Sequence, residues 1–173
     1  MIAVRQAGPG DVPALSALAR HTYAATFGHS LSPEELAQQL DDTRSEACFA
    51  KALEADVILV AQDDDIIAGY VRLCALRLPV ERSNSDRQLD SIYVHPDQQG
   101  KGVGRLLMQA ALSHPFLLGA EKLFLDVWEE NEKAVRFYAK HGFEKAGYCD
   151  VKVGGRVIGQ DMVMALRLDL NRE

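Results

Sequence analysis

A segment with glycine at every second residue lies between an apolar run and an amphipathic run. This pattern constrains the fold of the chain more than any other feature. The run Ile92–Val94 is β-branched and aromatic, which is typical of a strand. The segment Gln99–Gly104 follows, with glycine at every second residue from Gly100, and apolar residues recur at helical spacing from Val103. Glycines allow a close approach to the backbone, and the first turn of a helix presents N–H groups and the positive end of its dipole. The pattern therefore predicts an anion-binding turn between a strand and a helix.

Two common phosphate-binding motifs do not fit this turn. A P-loop needs Gly-Lys-Ser/Thr at a spacing that is absent here. The dinucleotide fingerprint places its last glycine three residues after the middle one, whereas only Val103 separates Gly102 from Gly104. From this stretch alone, an ordinary strand-to-helix turn is the alternative to an anion-binding turn. The downstream residues decide between these two interpretations.

A second strand and helix follow at short range. Leu123–Val127 is an apolar strand pattern, and Asn131 precedes a helical run, Lys133–Lys140. His141-Gly142 ends this helix, and Phe143 begins another strand.

Together these residues resemble the GCN5-related N-acetyltransferase (GNAT) family. The family's pyrophosphate loop, Gln/Arg-x-x-Gly-x-Gly/Ala, is matched by Gln99, Gly102 and Gly104. Its second signature, an Asn before a helix that carries Ala and Phe-Tyr and ends in Gly-Phe, is matched by Asn131, Ala134, Phe137, Tyr138, Gly142 and Phe143. The resemblance covers roughly residues 2 to 167 and implies an acetyl-CoA-dependent N-acetyltransferase.

The rest of the chain predicts a single α/β domain over residues 1–173. The order is a strand, two or three helices, three strands, a helix, a strand, a helix and two strands, which suggests one central mixed sheet flanked by helices. The resemblance implies the GNAT version of this fold: a mostly antiparallel sheet, splayed between its fourth and fifth strands, with acetyl-CoA in the opening.

Composition excludes several partners. The formal net charge of −6 argues against nucleic acid or an anionic membrane, and it permits a cationic substrate. No apolar run approaches the ~18 residues of a membrane span, and the first residues do not show the sequence pattern of a signal peptide. Cys48, Cys74 and Cys149 show no Cys-x-x-Cys spacing and are expected to be reduced thiols of a cytoplasmic protein. The acidic run Asp63–Asp65 lacks further ligands at calcium-loop spacing, so no metal is expected.

The resemblance implies which residues hold acetyl-CoA. The pyrophosphate cradle would be the backbone of Gln99, Gly100, Lys101, Gly102, Val103, Gly104 and Arg105. Ile92 and Val94 would contact the pantetheine arm, since an extended amide ligand can bond a strand that lacks a neighbour. A backbone N–H near Tyr93 or Val94 would meet the oxyanion. Asn131 would contact the cofactor, cap its helix, or do both.

The resemblance also implies a general acid, whereas the base stays open. A Tyr at the position of Tyr138 can protonate the departing thiolate, because a phenol of pKa ~10 can give a proton to a thiolate whose conjugate acid has pKa ~8.5. A core aromatic is the alternative for this residue. For the base, Asp90 is preferred because it shares strand parity with Ile92 and Val94. Glu81, Asp126 and His95 are other candidates.

The preferred acceptor is a small cationic amine, with a polyamine such as spermidine first. An acidic rim would attract it, built from Glu34, Glu35, Asp41, Asp42, Glu81 and Asp86. Short motifs, including Thr26–His29 and the Gly154-Gly155 turn, resemble bacterial polyamine N-acetyltransferases of the PaiA type. The alternatives are a protein or peptide N-terminus, an amino acid, an antibiotic amine, or a regulatory domain that binds acetyl-CoA without turnover. The chain is expected to be a monomer or homodimer.

Overall fold

The computed structural model describes residues 1–81 and 83–169, and its element order confirms the predicted one. The strands are β1 (Ala3–Gln6), β2 (Val57–Asp63), β3 (Ile66–Ala75), β4 (Arg87–Val94), β5 (Lys122–Trp128), β6 (Glu144–Val153) and β7 (Arg156–Arg167). The helices are α1 (Val12–Phe27), α2 (Pro33–Arg44), α3 (Glu46–Ala55), α4 (Val103–Leu112) and α5 (Glu132–Lys140). Within the described part, three α-helices therefore follow the first strand.

The strands form one mixed sheet in the order β1-β2-β3-β4-β5-β7-β6. β4 and β5 pair in parallel, whereas β1 with β2, β5 with β7, and β6 with β7 pair antiparallel. This arrangement confirms the predicted fold class.

The parallel ladder between β4 and β5 is short. It pairs Arg87 with Leu123 and Gln88 with Phe124. β4 nevertheless continues to Val94, and β5 continues to Trp128. The ladder thus ends early, as expected for a sheet that is splayed between its fourth and fifth strands.

Local sequence explains where the early helices begin. Ser32 caps α2: its hydroxyl accepts the Glu35 N–H at 3.1 Å, and the Glu35 carboxylate accepts the Ser32 N–H at 3.0 Å. Pro33 occupies the first helical position, where a missing N–H costs nothing. Ser45 both ends α2 and caps α3 through the N–H of Cys48.

By its internal contacts the chain divides into two compact units. The first is Met1–Arg72 with Ser91–Ser113, and its core joins α1, α3, β2 and β3 around side chains such as Leu15, Phe49 and Tyr70. The second is Leu73–Asp90 with the chain from His114 on. Its core includes Leu76, Phe124, Cys149 and Val163. That residues 1–173 form a single domain stays a prediction.

Candidate active site

In the first unit, a glycine turn leads from β4 into α4. Pro96–Gln98 forms one 3-10 turn, and Gly100 and Gly102 then adopt φ of 78° and 84°, where a side chain would be strained. Gly102 is the N-cap of α4 and has no side chain with which to cap the first turn. The turn therefore offers backbone N–H groups and the positive end of a helix dipole, which together suit an anion.

The other predicted loop residues differ in the hydrogen bonds and the burial of their side chains. Gln99 Nε2 donates to the Val94 carbonyl at 3.3 Å, and Lys101 Nζ donates to Gln98 Oε1 at 3.4 Å. Val103 is buried, so only its backbone can serve a ligand, while Gly104 and Arg105 belong to the first turn of α4. Their contact with a cofactor stays a prediction.

The three strand residues before the turn, Ile92, Tyr93 and Val94, are half-buried. The Tyr93 side chain packs against the core of the first unit: its ring meets the Tyr70 ring edge-on at 5.6 Å, and its hydroxyl accepts from Arg44 Nη2 at 3.2 Å. Any role of Tyr93 toward an acyl group must therefore use its backbone.

In the second unit, Asn131 and Tyr138 are fixed by α5. The Asn131 carboxamide oxygen accepts the Ala134 N–H at 3.2 Å, so the predicted helix cap is confirmed. Tyr138 is 8% exposed, and its ring packs edge-on against Phe137 and Phe143, at 5.5 and 5.9 Å between centroids. The contact of Asn131 with a cofactor and the acid role of Tyr138 stay predictions.

A row of carboxylates crosses one face of the second unit. Asp126 on β5 lies opposite Val163, and Asp161 lies two residues back along β7, on the same face because side chains alternate along a strand. The Asp126 and Asp161 side chains share a hydrogen bond. Asp90 on β4 adds a further negative charge close enough to act on Asp126.

Burial and mutual repulsion raise the pKa of two members of this row, Asp126 and Asp161. Burial raises the pKa of Asp126, and the charge of Asp90 raises it further. Burial, the charge of Asp126 and their hydrogen bond raise the pKa of Asp161 to about 6. The neighbouring Cys149 thiol is buried beside these carboxylates, which raises its pKa to about 11, so it stays a neutral thiol at neutral pH. Asp126 and Asp161 therefore titrate as a coupled pair.

The sequence interpretation proposed Asp90 and Asp126 as bases but missed Asp161. The signal was present in the alternation of β7, where Asp161 shares parity with Val163 and Ala165, both on the apolar face. The partner was hidden because the register between β5 and β7 cannot be read from either strand alone.

This pair predicts a pH-dependent stability. Because the folded state raises the pKa of Asp161 above its unfolded value, folded protein holds the proton more tightly, and stability is lost as pH rises through about 6. Asp161→Asn should therefore raise the free energy of unfolding at pH 8 by roughly 1 kcal/mol, after allowing for screening by water, and much less at pH 4. Urea unfolding at both pH values measures this. Asp150→Asn, on the exposed side of β6, is the control. An equal effect of Asp161→Asn on the free energy of unfolding at both pH values would contradict the raised pKa of Asp161.

The acidic rim predicted for the acceptor is only partly present. Asp86 is buried, and its carboxylate accepts the N–H groups of Ser83 and Lys122 at 2.9 and 3.1 Å, so its place in an exposed rim was wrong. Asp41 is paired with Arg20 at 2.9 Å, and Glu35 is used in the cap of α2. Three of the six acids are thus engaged within the fold, while Glu34, Asp42 and Glu81 are exposed.

Two other kinds of feature are absent from residues 1–81 and 83–169. No group of three or more His, Cys, Asp or Glu side chains in that part is arranged to hold a metal ion. No helix there is both long enough and apolar enough to cross a membrane.

Comparison with known proteins identifies the class of protein that this fold and site define. The family model for the Acetyltransferase (GNAT) family matches residues 16–143. An uncharacterised N-acetyltransferase of Mycobacterium bovis is 32% identical over 146 residues, which cover 83% of this chain and 90% of that protein. The chain therefore belongs to the GNAT family of acetyltransferases.

Of two further likenesses, one covers a smaller part of the chain and the other has a lower sequence identity. The peptidyl-lysine N-acetyltransferase YjaB of Escherichia coli is 42% identical over 67 residues, which cover 39% of this chain and 42% of that protein. The structure of the PaiA N-acetyltransferase of Thermoplasma acidophilum in complex with coenzyme A aligns with a TM-score of 0.78 at 20% identity, covering 97% of this chain and 99% of that one. The second likeness shows the fold alone.

Proposed function

We propose that this N-acetyltransferase moves the acetyl group of acetyl-CoA to a primary amine of a small cationic acceptor, with a polyamine such as spermidine as first candidate. The observation that carries the transfer is the turn at the end of β4, where Gly100 and Gly102 adopt positive φ and Gly102 begins α4 without a capping side chain. Such a turn suits a pyrophosphate. When bound, acetyl-CoA supplies an activated thioester.

The chain's own residues supply the proton transfers. The amine forms a C–N bond with the thioester carbonyl carbon and loses one proton, for which the half-buried carboxylates Asp90 and Asp126 are the candidate bases. As the C–S bond breaks, the Tyr138 hydroxyl gives its proton to the sulfur. A strand N–H near Tyr93 or Val94 stabilises the oxyanion between these steps.

The end of the helix that carries the candidate acid Tyr138 and the candidate base Asp126 lie on different faces of the second unit's sheet. A Cβ at Gly142, just after α5, would lie 3.1 Å from Leu166, which places this end of α5 on the Leu166 face. Asp126 and Asp161 have the opposite parity along β5 and β7 and lie on the other face. Because both proton transfers occur at one reaction centre, a base on the Asp126 face would act on the amine through bridging water.

The carboxylate row also supports a cationic acceptor. Asp90, Asp126 and Asp161 lie within electrostatic range on one face, and an alkylammonium group would relieve their mutual repulsion. YjaB, by its name, acetylates the lysine side chain, which carries the same alkylammonium group. A polyamine and a lysine side chain are therefore the two acceptors to compare.

Competition between acceptors tests this proposal. We expect kcat/KM for spermidine and spermine to exceed that for free amino acids and short peptides, and to fall between low and moderate salt because the attraction is electrostatic. Asp126→Asn should lower kcat/KM for amines while leaving acetyl-CoA affinity unchanged. Faster acetylation of lysine peptides than of any polyamine, or polyamine turnover that ignores salt, would overturn the polyamine assignment and leave acetyl transfer standing.

A further inference from the structure

Gly69, in the middle of β3, lies where two other elements come unusually close. A Cβ at this position would lie 2.7 Å from the Tyr93 carbonyl oxygen, 3.3 Å from Val94 Cα and 3.1 Å from Leu107 Cδ1. The first distance is shorter than real Cβ contacts, and its partner is backbone, which cannot swing aside. Only glycine therefore allows β4 and α4 to meet β3 here, all within the first unit.

This close approach fixes the orientation of the Tyr93–Val94 peptide. The Tyr93 carbonyl is turned toward β3, and in a trans peptide the N–H on the other side of the bond points the opposite way. The Val94 N–H must then point away from β3. The next residue agrees: the His95 N–H bonds the Ala68 carbonyl on β3 at 2.8 Å, and successive N–H groups along a strand alternate between its two edges.

The same geometry separates the two oxyanion candidates. Within an extended residue, the N–H and the C=O point to the same edge, so the Tyr93 N–H faces β3 like its carbonyl. The Val94 N–H alone of the two points to the edge of β4 that lies away from β3. On the β5 side the β4 ladder ends at Gln88.

We propose that Gly69 is a positioning residue for acetyl transfer, because it lets the Tyr93 carbonyl lie against β3 and so directs the Val94 N–H toward the thioester oxygen. This inference rests on the proposed function. Gly69 touches no reacting atom; it acts through the Tyr93–Val94 peptide.

The Tyr93 side chain, like its carbonyl, is fixed by contacts within the first unit. The Arg44 guanidinium donates to the Tyr93 hydroxyl at 3.2 Å and stacks on the Tyr23 ring at 3.8 Å from its centroid. Arg44 Nε is buried without a hydrogen-bond partner in the described structure, a cost offset by these other contacts. With the ring anchored, an added methyl at Gly69 cannot be absorbed by a shift of Tyr93 alone, so it must rotate the peptide.

The first test is Gly69→Ala beside Gly10→Ala. Gly10 belongs to the same unit, has open space where a Cβ would be, and is a matched control. We expect kcat of Gly69→Ala to fall about 10- to 100-fold while the Kd for acetyl-CoA changes less than about 3-fold, since an oxyanion donor acts on the transition state. Gly10→Ala should match wild type. A folded Gly69→Ala with wild-type kcat, or with kcat and acetyl-CoA affinity reduced together, would overturn the proposal.

A backbone variant keeps the proposal testable if Gly69→Ala does not fold. Replacing Val94 by its α-hydroxy analogue turns the amide into an ester, which removes the N–H and adds no bulk. We expect kcat to fall about 100-fold, and Gly69→Ala to cause little further loss in the ester protein, because both changes remove one interaction. Wild-type kcat in the ester protein, or fully additive losses, would refute a role for this N–H. Failure of the proposed function would look different: wild-type protein would acetylate no amine.

Discussion

Gly102→Val should reduce the affinity for acetyl-CoA by about 100-fold, which corresponds to ~2.7 kcal/mol. Gly102 has φ of 84°, a conformation that costs a non-glycine residue about 1–2 kcal/mol and a β-branched residue more. The side chain would also stand at the start of α4, where the backbone N–H groups must approach the pyrophosphate. Both effects act on the same turn, so this substitution has the largest expected effect on binding. Isothermal titration calorimetry with acetyl-CoA measures it.

A matched glycine separates strain from ligand contact. Gly119 has φ of 75° and nothing within 4 Å of a Cβ, and it belongs to the second unit, whereas the turn belongs to the first. Gly119→Val should therefore lose a similar amount of stability in thermal unfolding while keeping wild-type acetyl-CoA affinity. If the two variants lose affinity equally, the turn is not the cofactor cradle.

Tyr138→Phe should slow turnover by about 10²- to 10⁴-fold while acetyl-CoA binds normally, since proton transfer by a placed group typically contributes this much. The ring is 8% exposed and packed against Phe137 and Phe143, so the variant keeps these contacts and loses only the hydroxyl. Steady-state kinetics across pH, read by thiol release, measure the effect. The fall in the wild-type rate at alkaline pH, where the phenol loses its proton, should disappear in the variant.

A second tyrosine provides the control for this substitution. The Tyr148 hydroxyl donates to Glu129 at 3.0 Å on an exposed part of the second unit. Tyr148→Phe should therefore leave kcat unchanged. Wild-type turnover in Tyr138→Phe at every pH would show that Tyr138 is a core aromatic, the alternative that the sequence left open.

The order of elements could be predicted because local patterns determine it. Alternating apolar residues located the strands, and Ser32-Pro33, Asn131 and the glycines located the helix ends. The end of the β4–β5 ladder at Gln88 and Phe124 was a different matter, since pairing between strands depends on partners distant in sequence. It could be expected only from the resemblance to a known family.

In the candidate site, too, the local features could be predicted from the sequence and the long-range contacts could not. The glycine turn, Asn131 and Tyr138 lie in contiguous signatures, so their positions on α4 and α5 could be read from the chain. Three other features depend on segments that are distant in sequence. They are the hydrogen bond between Asp126 and Asp161, the burial of Asp86, and the close approach of Tyr93 to Gly69. Such contacts have no local signal, because the sheet register sets them.

We infer that this chain transfers an acetyl group from acetyl-CoA to a primary amine. The most direct measurement is mass spectrometry after incubation with acetyl-CoA, isotopically labelled in its acetyl group, and a mixture of polyamines, amino acids and lysine peptides. We expect a labelled N-acetyl amine formed one for one with free coenzyme A, at a rate sharply reduced in Tyr138→Phe. Tight binding of acetyl-CoA by wild-type protein with no labelled amine from any acceptor would contradict it.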